Sequence, residues 1–180
     1  MHWGMLVDLR KCIGCHSCTV ACQNEHHLPA GEKWNRVLSF GPIGEYPNLT
    51  AYFIPIFCMH CAAAPCVGGC PTGASFRRED GIVLVHEEQC VGCRSCLAVC
   101  PYGARQYNAQ KSIVQKCTMC FERLDHGATT RCVETCPLQA RFVGDLDDSG
   151  SEIARLIRKH SAHPLNEELG TRPSVYYIFP

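Results

Sequence analysis

Apolar residues in this chain fall in short runs, and those runs predict brief strands and helices around the motifs that carry the chemistry. Residues 5–8 predict a strand, as do 75–77 and 82–85, with Glu79-Asp80-Gly81 as the turn between the latter two. Residues 23–57 contain Trp34 and two apolar runs, 37–40 and 52–57, which predict a hairpin turning at Gly41-Pro42-Ile43-Gly44. Ser149-Gly150-Ser151-Glu152 matches a capping box, and Ile153, Leu156 and Ile157 then share one face of a short helix ending near Lys159. The segment 163–180 predicts an extended arm whose Val175, Tyr176, Tyr177, Ile178 and Phe179 pack on their own domain. The most apolar window, 51–67, is interrupted by Pro55, His60, Pro65 and three cysteines, so it falls short of the roughly 20 uninterrupted apolar residues of a membrane span.

Cysteine changes this picture most. The 16 cysteines form four groups of four. Cys12, Cys15, Cys18 and Cys22 read C-x2-C-x2-C-x3-C, and Cys90, Cys93, Cys96 and Cys100 repeat that spacing, followed by Pro101. This is the ligand pattern of a cubane iron-sulfur cluster. Cys58, Cys61, Cys66 and Cys70 read C-x2-C-x4-C-x3-C, and Cys117, Cys120, Cys132 and Cys136 read C-x2-C-x11-C-x3-C. Four [4Fe-4S] clusters are therefore expected. An internal repeat supports the grouping: Cys12-Ile13-Gly14-Cys15-His16-Ser17-Cys18 matches Cys90-Val91-Gly92-Cys93-Arg94-Ser95-Cys96. A second repeat follows three of the groups, in Cys70-Pro71-Thr72-Gly73-Ala74, Cys100-Pro101-Tyr102-Gly103-Ala104 and Cys136-Pro137-Leu138-Gln139-Ala140. Proline turns the chain just after the ligand. In the first group Gln23 follows Cys22, and a short helix is expected to continue there.

Other uses of the cysteines fit less well. A disulfide scaffold would explain the even count but not three cysteines within seven residues, repeated with matched glycine and serine spacers. A zinc site of two C-x2-C pairs leaves the triplets and the Cys-Pro steps unexplained. Cys12-Ile13-Gly14-Cys15-His16 also fits the attachment motif of a c-type haem, yet Arg94 stands at the equivalent of His16, and Cys18 and Cys22 complete the cubane pattern. Neither haem nor zinc is expected.

Around the cysteines, some roles stay open. His60 is read either as a donor to a cluster sulfur or as a partly exposed loop residue. Lys116, Arg131, Arg94 and Arg105 lie near ligands and either offset cluster charge or are solvated. Asn48-Leu49-Thr50 is read as a chance glycosylation pattern. There is no G-x-G-x-x-G, G-x4-G-K-[ST] or G-x-S-x-G motif, so no nucleotide site, no catalytic residue and no substrate chemistry of its own is expected.

The 46% apolar content marks a globular chain but includes every cysteine, so bound clusters are expected to help hold the fold together. Formal charge is zero, from 17 basic and 17 acidic residues. Counting about −16 for thiolates and about +8 for four oxidised cores leaves roughly −8 for the loaded chain. That balance gives no reason to expect nucleic-acid binding. The first seven residues show no basic region followed by an apolar stretch, and no twin arginine precedes Cys12, so no targeting segment is expected.

With these spacings, including the long gap in the fourth group, the chain resembles the ferredoxin-like iron-sulfur (B) subunit of the dimethyl sulfoxide reductase superfamily of molybdenum and tungsten oxidoreductases. Its length is closest to the polysulfide, thiosulfate and dimethyl sulfoxide reductase branch. The resemblance implies an α+β fold of two nested ferredoxin-like, bis-[4Fe-4S] domains with short strands and helices, a hairpin insertion and a C-terminal arm. The implied division is residues 1–22 with 105–146 (groups one and four), insertion 23–57, residues 58–104 (groups two and three), and helix and arm 147–180.

Spacing alone does not pair the groups. The resemblance implies one cluster on Cys12, Cys15, Cys18 and Cys136, a second on Cys22, Cys117, Cys120 and Cys132, a third on Cys58, Cys61, Cys66 and Cys100, and a fourth on Cys70, Cys90, Cys93 and Cys96. It implies a non-catalytic subunit relaying electrons between an integral membrane quinone-handling subunit and a large pterin catalytic subunit. The alternative is a relay for a hydrogenase or another quinone-linked complex without molybdenum. A free soluble ferredoxin is disfavoured, because the insertion and arm exceed what cluster binding needs. The expected location is at the membrane through partners, on the outer (periplasmic) face by co-export with the catalytic subunit, with the cytoplasmic face as the alternative.

Overall fold

In the computed structural model, which describes residues 1–180, the chain ends are brought together in one three-stranded sheet. Strand β1 (Trp3–Asp8) lies between β8 (Arg141–Asp145), antiparallel, and β9 (Val175–Ile178), parallel. A central strand is covered on both faces, which explains the unbroken Met5-Leu6-Val7 run. Side chains alternate across the sheet. Leu6 and Ile178 meet Ile153 of helix α6 (Glu152–His160) on one face, while Met5, Val7, Val175 and Tyr177 join the main core with Cys22, Phe57, Cys58, Met59, Cys117 and Met119 on the other. The arm thus packs on its own chain.

The remaining strands form three hairpins. Strands β2 (Arg36–Ile43) and β3 (Thr50–Ile56) make the long one, β4 (Ser75–Arg77) and β5 (Val83–Val85) lie between cysteine groups two and three, and β6 (Arg105–Asn108) and β7 (Ile113–Lys116) lie between groups three and four. The last two hairpins share a small core in which Val83 and Val114 pack with Cys66 and Cys96.

Five further helices carry ligand positions or follow them. Helix α1 (Ser17–Glu25) runs past Cys22 because Gln23 can continue it, whereas α2 (Pro65–Gly68), α3 (Ser95–Ala98) and α5 (Arg131–Glu134) stop after four residues, just before Cys-Pro steps. Helix α4 (Phe121–Asp125) follows Cys120. No helix is long and apolar enough to cross a membrane.

Two local expectations are corrected. Gly41-Pro42-Ile43-Gly44 is not the hairpin turn: β2 continues through Ile43 with a register shift between Phe40 and Ile43, and the chain reverses at 44–49. Gly41 supports that irregularity, since its φ of 103° and the approach of the Thr50 carbonyl to within 2.5 Å of a Cβ position exclude a side chain. The helix α6 cap is Ser151, not Ser149. Ser151 Oγ accepts from the Ala154 N–H at 3.2 Å, three residues on, as an N-cap oxygen does. Ser149 instead uses its carbonyl to accept from Arg158.

Candidate metal centres

Each C-x2-C step turns through left-handed backbone. Positive φ occurs at Gly14 and His16, at His60, at Gly92 and Arg94, and at Met119 and Cys120. These turns aim amide hydrogens at sulfur: His60 N–H lies 3.5 Å from Cys58 Sγ and Met119 N–H 3.4 Å from Cys117 Sγ. After the Cys-Pro steps, Ser75 N–H reaches Cys70 Sγ at 3.4 Å and Ala140 N–H reaches Cys136 Sγ at 3.3 Å. Amide donors of this kind stabilise anionic sulfur and are one of the levers on a cluster's potential.

Three cavities of similar size are each lined by four thiols. One of about 400 Å³, its mouth included, is lined by Cys12, Cys15, Cys18 and Cys136. A second of about 320 Å³ is lined by Cys22, Cys117, Cys120 and Cys132, and a third of about 340 Å³ by Cys58, Cys61, Cys66 and Cys100. In each, three cysteines come from one group and the fourth from another. Of the remaining four, Cys70 lies near enough to Cys93, and Cys90 to Cys96, for their charges to interact.

The cavities follow one another through the molecule. Cys18 lies near enough to Cys132, and Cys117 to Cys58, for their charges to interact, and Cys66 packs with Cys96. Exposure is graded along that order: only Cys15, lining the first cavity, and Cys93, in the last set, are exposed.

Environment sets the thiol acidities. Burial pushes Cys61 up to about 12 and Cys120 up to about 11, and raises Cys18, Cys22 and Cys117 as well. Burial also opposes ionisation of Cys58, but the adjoining His60 and Lys116 outweigh it and hold that thiol below its ordinary value. At the exposed ends, contacts with the Ser17 and Ser95 hydroxyls lower Cys15 and Cys93.

The donor set fits an iron-sulfur cluster. All sixteen cysteines are free thiols, soft ligands suited to iron and sulfide. No three His, Cys, Asp or Glu side chains converge closely enough for a single metal ion; the thiols surround open space instead. A sulfur-bridged core bound at four separated points suits that arrangement.

The residues left open by the sequence divide clearly. His60 is fully buried, so its reading as a partly exposed loop residue is corrected. Its Nδ1 accepts from the Val83 N–H at 3.1 Å, which leaves the ring proton on Nε2, a buried donor with no protein partner. Arg105 and Lys116 are buried as well. Arg105 donates to Cys66 Sγ at 3.0 Å and to Ser75 Oγ, and Lys116 donates to the Cys117 carbonyl at 2.8 Å and to the Val83 carbonyl. Arg94 instead stacks over Tyr107 at 3.8 Å, and Arg131 pairs with Glu134 and Glu25 at the surface.

Sequence reasoning missed Arg141. It is buried, lines the first cavity, donates to Asn35 Oδ1 at 3.1 Å and lies over the Phe57 ring at 5.0 Å. Burial disfavours its charge, but the facing Cys132 and Cys18 sulfurs hold its pKa above the ordinary arginine value. The signal was present: reading the second repeat one residue further gives Cys-Pro-x-x-Ala-Arg at both 100–105 and 136–141.

Comparison with known proteins agrees with this chemistry. Residues 49–146 match the model of a 4Fe-4S dicluster domain, and residues 11–74 match a second model of the same description. The chain is 39% identical over 206 residues to a protein assigned as the iron-sulfur B subunit of dimethyl sulfoxide reductase in Halobacterium salinarum, covering 98% of this chain and 79% of that protein. It is 38% identical over 211 residues to the B subunit of selenate reductase from Mesobacillus selenatarsenatis, covering 99% and 72%. With the B subunit of tetrathionate reductase from Salmonella typhimurium it shares 42% identity over 179 residues, covering 98% and 72%.

Proposed function

The chain belongs to the 4Fe-4S dicluster family of iron-sulfur B subunits of the dimethyl sulfoxide reductase superfamily, and from that premise we propose that it relays electrons through four [4Fe-4S] clusters between a membrane quinone-handling subunit and a molybdenum or tungsten pterin catalytic subunit. The observation that carries this reading is the graded exposure of the four thiol sets: the two outer sets each hold one exposed thiol, Cys15 and Cys93, while the two middle sets each hold three buried thiols and one half-buried one. A wire needs contact with partners at its ends and insulation between them.

The ligand sets are Cys12, Cys15, Cys18 and Cys136; Cys22, Cys117, Cys120 and Cys132; Cys58, Cys61, Cys66 and Cys100; and Cys70, Cys90, Cys93 and Cys96. The thiol-lined cavities support the first three, and the Cys70–Cys93 and Cys90–Cys96 proximities support the fourth. Each bound cluster supplies a one-electron redox site. The chain's own groups hold those sites apart, bury three of the four thiols in each of the middle two and direct amide hydrogens at sulfurs. No residue has a catalytic role; transformation of substrate belongs to the pterin partner. Pairing of β1 with β8 supports nesting of residues 58–104 within a unit formed by 1–22 and 105–146. We place the chain at the membrane through its partners, on the outer face by co-export with the catalytic subunit, with the cytoplasmic face as the alternative.

Anaerobic purification of the native complex tests the assignment. About 16 iron and 16 acid-labile sulfide per chain are expected for four cubanes, together with molybdenum or tungsten in the complex. Negligible sulfide would refute the clusters. Full iron and sulfide in a complex lacking both metals would move the chain to a hydrogenase or another quinone-linked assembly.

A further inference from the structure

Three cations lie inside this protein without a carboxylate partner. Arg141, Lys116 and Arg105 are 3%, 3% and 5% exposed, and none takes part in an ion pair with Asp or Glu, although surface arginines such as Arg78 and Arg131 do. An unpaired buried charge is costly. Arg105 and Lys116 compound that cost, because they stand directly opposite each other in the β6–β7 register, where like charges repel. The guanidinium groups are also under-bonded: Arg141 Nη1 and Arg105 Nε and Nη1 are buried without a protein acceptor. Such an arrangement persists only if negative charge lies beside it.

Their positions say where that charge is. Arg141 lines the cavity of Cys12, Cys15, Cys18 and Cys136, and through Asn35 and Phe57 it also borders the cavity of Cys22, Cys117, Cys120 and Cys132. Lys116 holds the Cys117 carbonyl of that second set and the carbonyl of Val83, which lines the cavity of Cys58, Cys61, Cys66 and Cys100. Arg105 lines this third cavity and bonds Cys66, which packs against Cys96 of the fourth set. Successive sets are therefore separated by one buried cation each.

We propose that Arg141, Lys116 and Arg105 form a ladder of fixed positive charges interleaved with the four clusters, each raising the reduction potentials of the two clusters it separates. The inference rests on the four-cluster reading above. A cation beside a site that gains an electron stabilises the reduced form, and it weakens the repulsion between neighbouring reduced sites. These are positioning and tuning residues, not catalytic ones.

The test is a redox titration followed by electron paramagnetic resonance on the full chain, purified anaerobically in its native complex. Arg141→Met is expected to lower two of the four midpoint potentials and Arg105→Met the other two, while Arg141→Lys and Arg105→Lys stay near the wild-type values. Iron-replete methionine variants with wild-type potentials would overturn the proposal, as would lysine variants that shift as far as the methionine ones. If Arg141→Met fails to retain iron, Asn35→Asp decides: it sets a carboxylate against the guanidinium without removing it, and it should lower the same two potentials. Unchanged potentials there would also overturn the ladder. Wild-type protein lacking acid-labile sulfide would instead refute the four-cluster reading on which it stands.

Discussion

His16 and Arg94 adopt the same left-handed backbone conformation, at φ 61° and 65°, each immediately before the first residue of a helix. They occupy equivalent positions of the repeated C-x2-C-x2-C run. Their side chains have nothing in common: His16 is exposed, and Arg94 lies over Tyr107. What the position requires is the turn that brings the third cysteine back toward the first two. A residue with a β-carbon pays roughly 1 kcal/mol to adopt it.

His16→Gly should therefore leave cluster absorbance intact and change stability by less than about 0.5 kcal/mol, because relief of the left-handed strain is offset by the greater freedom of unfolded glycine. His16→Val should destabilise by about 1 kcal/mol or more. Thermal loss of the visible cluster absorbance compares the two. Loss of a whole cluster in His16→Gly would mean that the imidazole is a ligand after all.

The four cysteine groups and most short elements were legible because their signals are local, whereas the crossing of each fourth cysteine to another group is not a local signal. A C-x2-C step encodes its own turn, and a proline after the last cysteine encodes the end of a helix. The cap of α6 is ambiguous in the sequence because two serines precede the same glutamate within one turn, and only the oxygen that reaches the Ala154 N–H is the cap. The reversal at 44–49 is hidden in the sequence because Gly41-Pro42 carries the residues of a turn yet lies at a register shift within β2. Burial of His60, Lys116 and Arg141 was illegible for a different reason. Each lies against segments distant in sequence, such as Val83 or Asn35, and charge in a sequence reads as surface until the fold puts anionic sulfur beside it.

Crossing of the fourth cysteine can be tested by a single exchange. Cys136 lines the cavity of Cys12, Cys15 and Cys18 rather than that of its sequence neighbours Cys117, Cys120 and Cys132. Cys136→Ser should remove or convert only the cluster on the N-terminal motif, and Cys22→Ser only the one on Cys117, Cys120 and Cys132. Paramagnetic spectra of the two variants, compared with Cys12→Ser and Cys117→Ser, give the answer. If Cys136→Ser reproduces the Cys117→Ser spectrum, the crossing is wrong.

Tyr177 ties the C-terminal strand to the insertion. Its ring is fully buried, and its hydroxyl donates to the Pro55 carbonyl at 2.8 Å. Tyr177→Phe removes that hydrogen bond and should cost about 1 kcal/mol, whereas Tyr177→Ala also opens a cavity and should cost about 3–5 kcal/mol. Denaturant midpoints of the iron-loaded chain, read by near-ultraviolet circular dichroism, separate these values. Equal losses in the two variants would show that the hydroxyl, not the ring, dominates.

Removal of iron should cost more than any of these substitutions. The main core includes Cys22, Cys58, Cys61 and Cys117 among its buried side chains, so the thiols that face the clusters also form part of the wall between β1 and the ligand loops. Without iron, thiols that burial pushes up to about 12 at Cys61 and about 11 at Cys120 stay protonated and neutral at pH 7. Binding iron must displace those protons, so affinity for iron should rise with pH between about 6 and 8. Cys58, held below its ordinary value by His60 and Lys116, contributes less to that slope than Cys61 and Cys120. Chelation should abolish the cooperative unfolding transition, because four distant points of the chain lose their common anchor at each site. Calorimetry before and after chelation measures this, and a transition that survives complete iron removal would show that the apolar core alone suffices.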